Sequence, residues 1–364
     1  MKKLMGLVMA NYSNEAFGVL TNERPVASLP FGGRYRLIDF PLSNMMNSGI
    51  TTVGLITPYM YRSLMDHVGV GKEWSLNRKI GGMFILPGSI YGLKSTRGKF
   101  LLRDIIQNTP FLIRGGCDLV AVTGCNRIYN IDFREVASQH ESSGAEITLI
   151  YQKRDGEDDG QYLTFSENGR VTAVKNDAGG GNYFLDAFII NRELLLKFTN
   201  WYQALGYLDL MEIIGENLDK VRVRGFEYAG YVGCVDGLDS YMRTNLALLR
   251  ADVRDALFLR DRPICTKVQD SPPAKYLETS HVCNSLISSG CTIEGTVENS
   301  IIFRGVRVGR GAVVRSCVIM QGCEIGEDTN LENIICDKYV DVKAGVKVTA
   351  SPDAPIAVGK KQEL

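Results

Sequence analysis

The most constraining feature of the sequence is a fixed apolar period beyond residue 280, where short Val/Ile-rich pieces alternate with glycine. Ile287 and Ile293 are six residues apart, and the same step links Ile302, Val308 and Val314, then Ile319, Ile325 and Leu331, then Val342 and Val348. A longer period runs through it: Ile302, Ile319 and Cys336 are seventeen apart, as are Val308, Ile325 and Val342. This is a solenoid pattern, in which each coil has three short faces and every sixth side chain points inward. A sandwich of ordinary short strands has no reason to repeat at fixed spacing through successive coils. The period does not fix the handedness.

Upstream, about 245 residues have a different texture. Short β-branched or apolar runs at Leu4–Met9, Val53–Thr57, Leu119–Thr123 and Glu146–Tyr151 read as strands. Helical patterns lie between them near Tyr61–Val68, Leu101–Arg114 and Phe133–Glu141, and later at Arg192–Phe198, Leu210–Leu218 and Leu238–Leu257. This is the βαβ rhythm of a mostly parallel sheet covered on both faces. Pro272 and Pro273 then forbid helix continuation. The expected organisation is an α/β domain over 1–250, a linker over 251–280 and a solenoid over 281–364.

Composition excludes several classes. The 41 Lys and Arg balance 41 Asp and Glu, which gives no electrostatic case for nucleic acid or an anionic membrane as the main partner. The apolar run Leu4–Ala10 is short and lacks a small-residue cleavage pattern, so it reads as a buried strand rather than a secretory signal. No window approaches the ~20 apolar residues of a bilayer span. Nine cysteines without a CxxC pair fit a reducing cytoplasm, and with only His67, His140 and His281 beside them a zinc site is not expected.

Residues 20–50 carry the identifying motifs. They read Leu20-Thr21-Asn22-Glu23-Arg24, then Pro30-Phe31-Gly32-Gly33-Arg34-Tyr35-Arg36-Leu37-Ile38-Asp39-Phe40, then Leu42-Ser43-Asn44 and Asn47-Ser48-Gly49-Ile50. This closely resembles the start of bacterial ADP-glucose pyrophosphorylases, with LTxxRAKPA, PFGGxYRxIDF and LSNxxNSGI at the same spacing. Further similarities at Ile128-Tyr129 with Asp132, Gly230-Tyr231, Asp261–Ile264 and Pro272–Lys275 extend it over nearly the whole chain. The resemblance implies a Rossmann-like nucleotidyltransferase domain followed by a left-handed parallel β-helix, in a tetramer that joins ATP to glucose-1-phosphate.

Nucleotidyl transfer requires glycine where the backbone approaches a triphosphate, basic groups to offset phosphate charge, and carboxylates for Mg²⁺. Aligned on the family's GGxGxRL loop, Asn11 and Tyr12 stand at the paired glycines, Asn14 at the third glycine and Ala16 at the catalytic arginine. Val26 replaces the lysine of RAKPA, Asn126 the first metal aspartate, Cys234 the second, and Asp177 the sugar-phosphate lysine. Phe100–Asp104 stand in place of GTADA, and Asp236, two residues beyond Cys234, is a displaced metal candidate. Loss of one preorganised donor costs on the order of 10²–10³ in rate. No catalytic residue and no cofactor of its own are therefore expected, Mg²⁺ being used by a catalytic partner.

The intact segments would shape a fold and an interface. The pattern resembles the non-catalytic regulatory subunit found beside the catalytic subunit in some Gram-positive bacteria, in a cytoplasmic heterotetramer that supplies ADP-glucose for glycogen. Arg24, Arg34 and Arg36 are the candidate residues for an anionic effector, and structural ion pairing is the other reading of the same side chains. Thr51-Thr52 stand where the family carries paired basic residues, which weakens a full transfer of its effector site. An active nucleotidyltransferase with an unusual site is the alternative, and it would need carboxylates and cations from elsewhere. A hexapeptide acyltransferase would need a general-base histidine in the coils, and His281 precedes the first clear coil in the sequence pattern. Thiol catalysis at Cys125 or Cys234 lacks a histidine at motif spacing.

Overall fold

A computed structural model describes residues 2–58, 60–89, 98–155, 160–176, 180–205 and 208–364. The chain forms two compact units: residues 1–13, 40–230 and 260–265 in the first, and residues 14–39, 231–259 and 266–364 in the second. The division therefore does not follow one cut in the sequence.

The first unit is built on a nine-stranded mixed sheet. Its strands are β1 (Leu4–Met9), β2 (Thr52–Thr57), β3 (Gly82–Pro87), β4 (Leu119–Thr123), β5 (Ile147–Arg154), β6 (Gln161–Phe165), β7 (Val171–Asn176), β8 (Gly181–Asn191) and β9 (Val223–Glu227). The parallel core has the order β3-β2-β1-β4, the arrangement of a Rossmann half. Strand β8 runs antiparallel to β4 and carries the sheet on to β6, β7 and β5, with β9 parallel to β5. Strands β1 and β4 read as nearly continuous apolar runs because both sheet faces are covered, and four of the five residues of β4, Leu119 to Val122, have no exposure at all. The helices Leu102–Gln107, Arg192–Trp201 and Leu210–Glu216 contribute Ile105, Leu195, Phe198 and Ile213 to the core on one side of the sheet. The expected helix over 101–114 is two helices, Leu102–Gln107 and Thr109–Arg114, with Pro110 at the start of the second.

The second unit is built on three five-stranded parallel sheets wound as coils. Ile302, Ile319 and Cys336 pair in register, as do Val308, Ile325 and Val342, and these side chains fill the lumen. The solenoid begins earlier than expected. Lys275–Tyr276 pairs with Thr292–Ile293, and His281–Cys283 is already a strand of the first coil. Residues 251–280 are therefore not one linker, since Ala251–Leu257 is a helix and Lys275 is in the first coil. The continuous helical pattern over 238–257 is likewise two helices, Leu238–Ala247 and Ala251–Leu257.

One sheet of the solenoid is apolar on its outer side too, where Ile301, Val318 and Ile335 are fully buried. Helix Leu238–Ala247 packs on strand Val318–Ile319, and the short helix Glu15–Thr21 packs on strand Ile356–Val358. Burying this second apolar face is why segments 14–39 and 231–259 belong to the solenoid unit. The hairpin Pro30–Phe31/Tyr35–Arg36 turns through Gly32 (φ 57°) and Gly33 (φ 82°), both in the left-handed region. A Cβ at Gly33 would meet the Ser288 hydroxyl, which donates to the Gly33 carbonyl at 2.8 Å. The glycines of the PFGGRYR segment are thus explained by a turn pressed onto the coils.

Candidate functional site

In an open α/β sheet a ligand crevice lies outside the carboxyl ends of the strands, where the strand order reverses. Asn11 follows β1 at that edge and is 1 % exposed. Its Nδ2 donates to Asp104 Oδ2 at 2.7 Å and to the Ser89 carbonyl at 2.8 Å, while Ser89 N–H donates to Asp104 Oδ1 at 2.7 Å. Burial holds the Asp104 carboxyl above its ordinary range, opposed by these hydrogen bonds. A Cβ at Gly88 would collide with the Asn11 amide. Tyr12 is also buried. The end of β1 is closed by side chains hydrogen-bonded to one another.

Beside it, Lys99 Nζ and Arg127 Nη2 converge on one oxygen, Asp186 Oδ2, at 2.6 and 3.0 Å. Asp209 is 7 % exposed and accepts from Phe100 N–H at 2.7 Å and from Met211 N–H at 2.9 Å. Burial pushes its carboxyl up to about 6. Cys125 is fully buried, its thiol raised by desolvation and directed at the Met9 carbonyl, so it is no thiolate nucleophile. His140 is hydrogen-bonded to Thr148 and Asn191 inside the unit.

The residues present do not fit a catalytic Mg²⁺. A hard dication needs charged oxygens, but Asn126 is a buried neutral amide and Cys234 offers a soft thiol. Asp104, Asp186 and Asp209 are each held by the donors just described. Among the described residues no cluster of three or more His, Cys, Asp or Glu could hold a metal. Asp177 lies outside the described residues.

The other positions counted from the motifs, Asn14, Ala16, Val26 and Cys234, belong to the solenoid unit. Asn14 Nδ2 donates to the Thr21 carbonyl, Ala16 is exposed, Val26 is buried, and the Cys234 carbonyl accepts from Thr244. Asp236 is exposed, and its N–H is capped by the Ser240 hydroxyl. Of the candidate effector residues, Arg24 is 5 % exposed and donates from Nη2 to the buried Asp337 and from Nε to the Leu20 carbonyl at 3.0 Å. Arg36 is half-buried, and Arg34 is exposed over the Tyr35 ring.

Around them the structure adds cations the motifs did not reveal. Lys338 is pushed down to about 8 by burial first and then by Arg36, Arg24 and Lys360, with Asp337 opposing. Arg304 is lowered by burial and by Arg34. Lys360 binds Glu23 at 2.6 Å. Lys99, Asp186 and Lys338 escaped the sequence reading because no local spacing brings them to their partners. Asp209 had a readable signal in the Asp209-x-x-Glu212 spacing of a capping box, which the structure forms.

Comparison with known proteins then decides the relationship. A nucleotidyl transferase family model matches residues 16–176, and a GlmU-like C-terminal hexapeptide model matches residues 272–356. The glycogen biosynthesis protein GlgD of Bacillus subtilis is 32 % identical over 359 residues, covering 98 % of this chain and 96 % of that protein. The chain belongs to the ADP-glucose pyrophosphorylase family. The GlgD of Geobacillus stearothermophilus is 36 % identical over 312 residues, with 86 % and 83 % of the two chains covered. A glucose-1-phosphate adenylyltransferase of Pseudothermotoga lettingae is 33 % identical over 331 residues, with 86 % and 77 % covered. Within this family the chain is GlgD-like, and its two folds are a Rossmann-like nucleotidyltransferase domain and a left-handed β-helix of hexapeptide coils. Among the described residues no helix is long and apolar enough to cross a membrane.

Proposed function

We propose that this chain is the non-catalytic regulatory subunit of a heterotetrameric, cytoplasmic glucose-1-phosphate adenylyltransferase that makes ADP-glucose for glycogen synthesis. It raises the activity of a catalytic subunit by contact and binds no Mg²⁺ itself. The observation that carries this reading is the closed end of β1. Asn11, in place of a phosphate-cradling glycine, is locked to Asp104 and Ser89 and puts a carboxylate where a triphosphate needs a positive field. GlgD-named relatives that match nearly the full length support a role in glycogen biosynthesis.

Such a subunit needs no chemistry of its own. A differential contact free energy of ~1–3 kcal/mol between the partner's two conformations changes its activity about 5- to 150-fold. Arg34 and Arg36, with Lys338 beside Arg36, are the residues for an anionic effector such as a sugar phosphate, phosphate or sulfate. Arg24 is a structural member of that group, held by Asp337. The test is co-expression with a catalytic homologue from the same genome. A co-purifying complex with higher kcat, or a lower KM for ATP or glucose-1-phosphate, than the homologue alone supports the proposal. Failure to associate, or association without kinetic effect, rejects it.

A further inference from the structure

Asp186 combines three features that the fold alone does not require. It lies inside the eleven-residue strand β8 with φ 52°, in the left-handed region that favours glycine. The pairing of β8 with β5 loses register there, between Phe184 and Phe188. Its side chain is 11 % exposed, and one of its carboxylate oxygens is bracketed by two cations, Lys99 and Arg127, with side chains 24 % and 4 % exposed. Backbone strain of this kind persists only where the surroundings over-determine it.

The setting is that of an anion site. The Asp186 carbonyl accepts from Gly124 N–H at 3.0 Å, directly after the carboxyl end of β4, the edge at which this type of sheet takes ligands. Arg127 is oriented by a second bond from Nη2 to the Tyr183 hydroxyl at 2.7 Å, and Arg154 lies 4.5 Å from the centroid of the Tyr183 ring. A guanidinium and an ammonium preset around one oxygen, on a tyrosine-supported floor, match one oxygen of a tetrahedral oxyanion as well as they match a carboxylate.

We propose that Asp186 is a built-in anion: its carboxylate occupies the position at which Lys99 and Arg127 would hold a phosphate group, and so excludes phosphates from that position. The inference stands whether or not the chain regulates a partner. The left-handed backbone makes its test clean, because glycine at 186 removes the carboxylate and relieves the strain together.

The experiment is calorimetric titration of the full chain with inorganic phosphate at low ionic strength. The chains compared are wild type, Asp186→Gly, Asp186→Asn and the double variant Asp186→Gly/Lys99→Gln. Asp186→Gly is expected to gain a saturable site about tenfold tighter than any wild-type binding. Asp186→Asn, which keeps the shape and tolerates the left-handed region, gains it to a lesser degree. Addition of Lys99→Gln returns binding to the wild-type level. Phosphate binding in both single variants no stronger than in wild type overturns the proposal, as does a gain that survives loss of Lys99. If the glycine variant fails to fold, the asparagine variant alone decides by the same criterion.

Discussion

The Arg24–Asp337 pair is the sharpest test of how the solenoid unit is held together. The two residues are 313 positions apart and both almost fully buried, and Asp337 Oδ1 also accepts from Lys338 N–H at 2.6 Å. Asp337→Asn keeps that bond and removes only the charge, leaving the Arg24 guanidinium buried with its Leu20 contact. Breaking one member of a buried pair costs about 3–5 kcal/mol, whereas replacing both with apolar groups is often close to neutral. Asp337→Asn, Asp337→Leu and Arg24→Met are each expected to lose about 3 kcal/mol, and Arg24→Met/Asp337→Leu less than any of them. The coupling energy from the Arg24→Met and Asp337→Leu cycle is then at least ~3 kcal/mol. Urea unfolding followed by far-UV circular dichroism reads it. Singles costing under about 1 kcal/mol, or a double equal to their sum, would refute the assignment of this pair as the buried tie between segment 14–39 and the coils.

Other expectations follow from the same geometry. Asp209→Ala removes a helix cap and strands the Phe100 N–H, for a loss of about 2 kcal/mol in the same unfolding assay; an unchanged midpoint would contradict it. Burial lowers the pKa of His140, so the unfolded chain binds the extra proton first. Its contribution is complete above the unfolded value of about 6.5 and is lost as pH falls below it. Wild type should therefore lose more thermal stability than His140→Gln between pH 7.5 and 5.5, and parallel curves would exclude this role. Gly33→Ala meets both a positive φ and the Ser288 hydroxyl, and is expected to cost at least about 1 kcal/mol.

The coils were legible because a solenoid repeats its lumen contacts at fixed sequence spacing, so Ile302, Ile319 and Cys336 announce their own register. Their start was not, because the first turns are irregular: Thr292 sits opposite Arg307, two residues short of the seventeen-residue repeat, and Lys275–Tyr276 has no flanking apolar run. In the first unit β1, β2, β4 and β5 were readable as apolar runs, while the parallel strands β3 and β9 were not. Strand β8 was not, because the polar Asp186, at a positive φ, breaks its apolar run. At the site, Asn11, Tyr12 and Asn126 could be placed by counting from motifs. The bonds of Asn11 to Asp104 and Ser89, the meeting of Lys99 with Asp186 and that of Arg24 with Asp337 depend on chain segments 78 to 313 residues apart, which no local pattern encodes.

A regulatory subunit of the proposed kind contributes contact and no chemistry. The direct measurement pairs it with a catalytic homologue whose own GGxGxRL arginine has been replaced, and follows ADP-glucose formation from ATP, glucose-1-phosphate and Mg²⁺. An assembled complex with activity at background is expected, while the same chain beside the intact homologue activates it. ADP-glucose turnover by the complex with the disabled homologue would place working chemistry in this chain and reject the non-catalytic role.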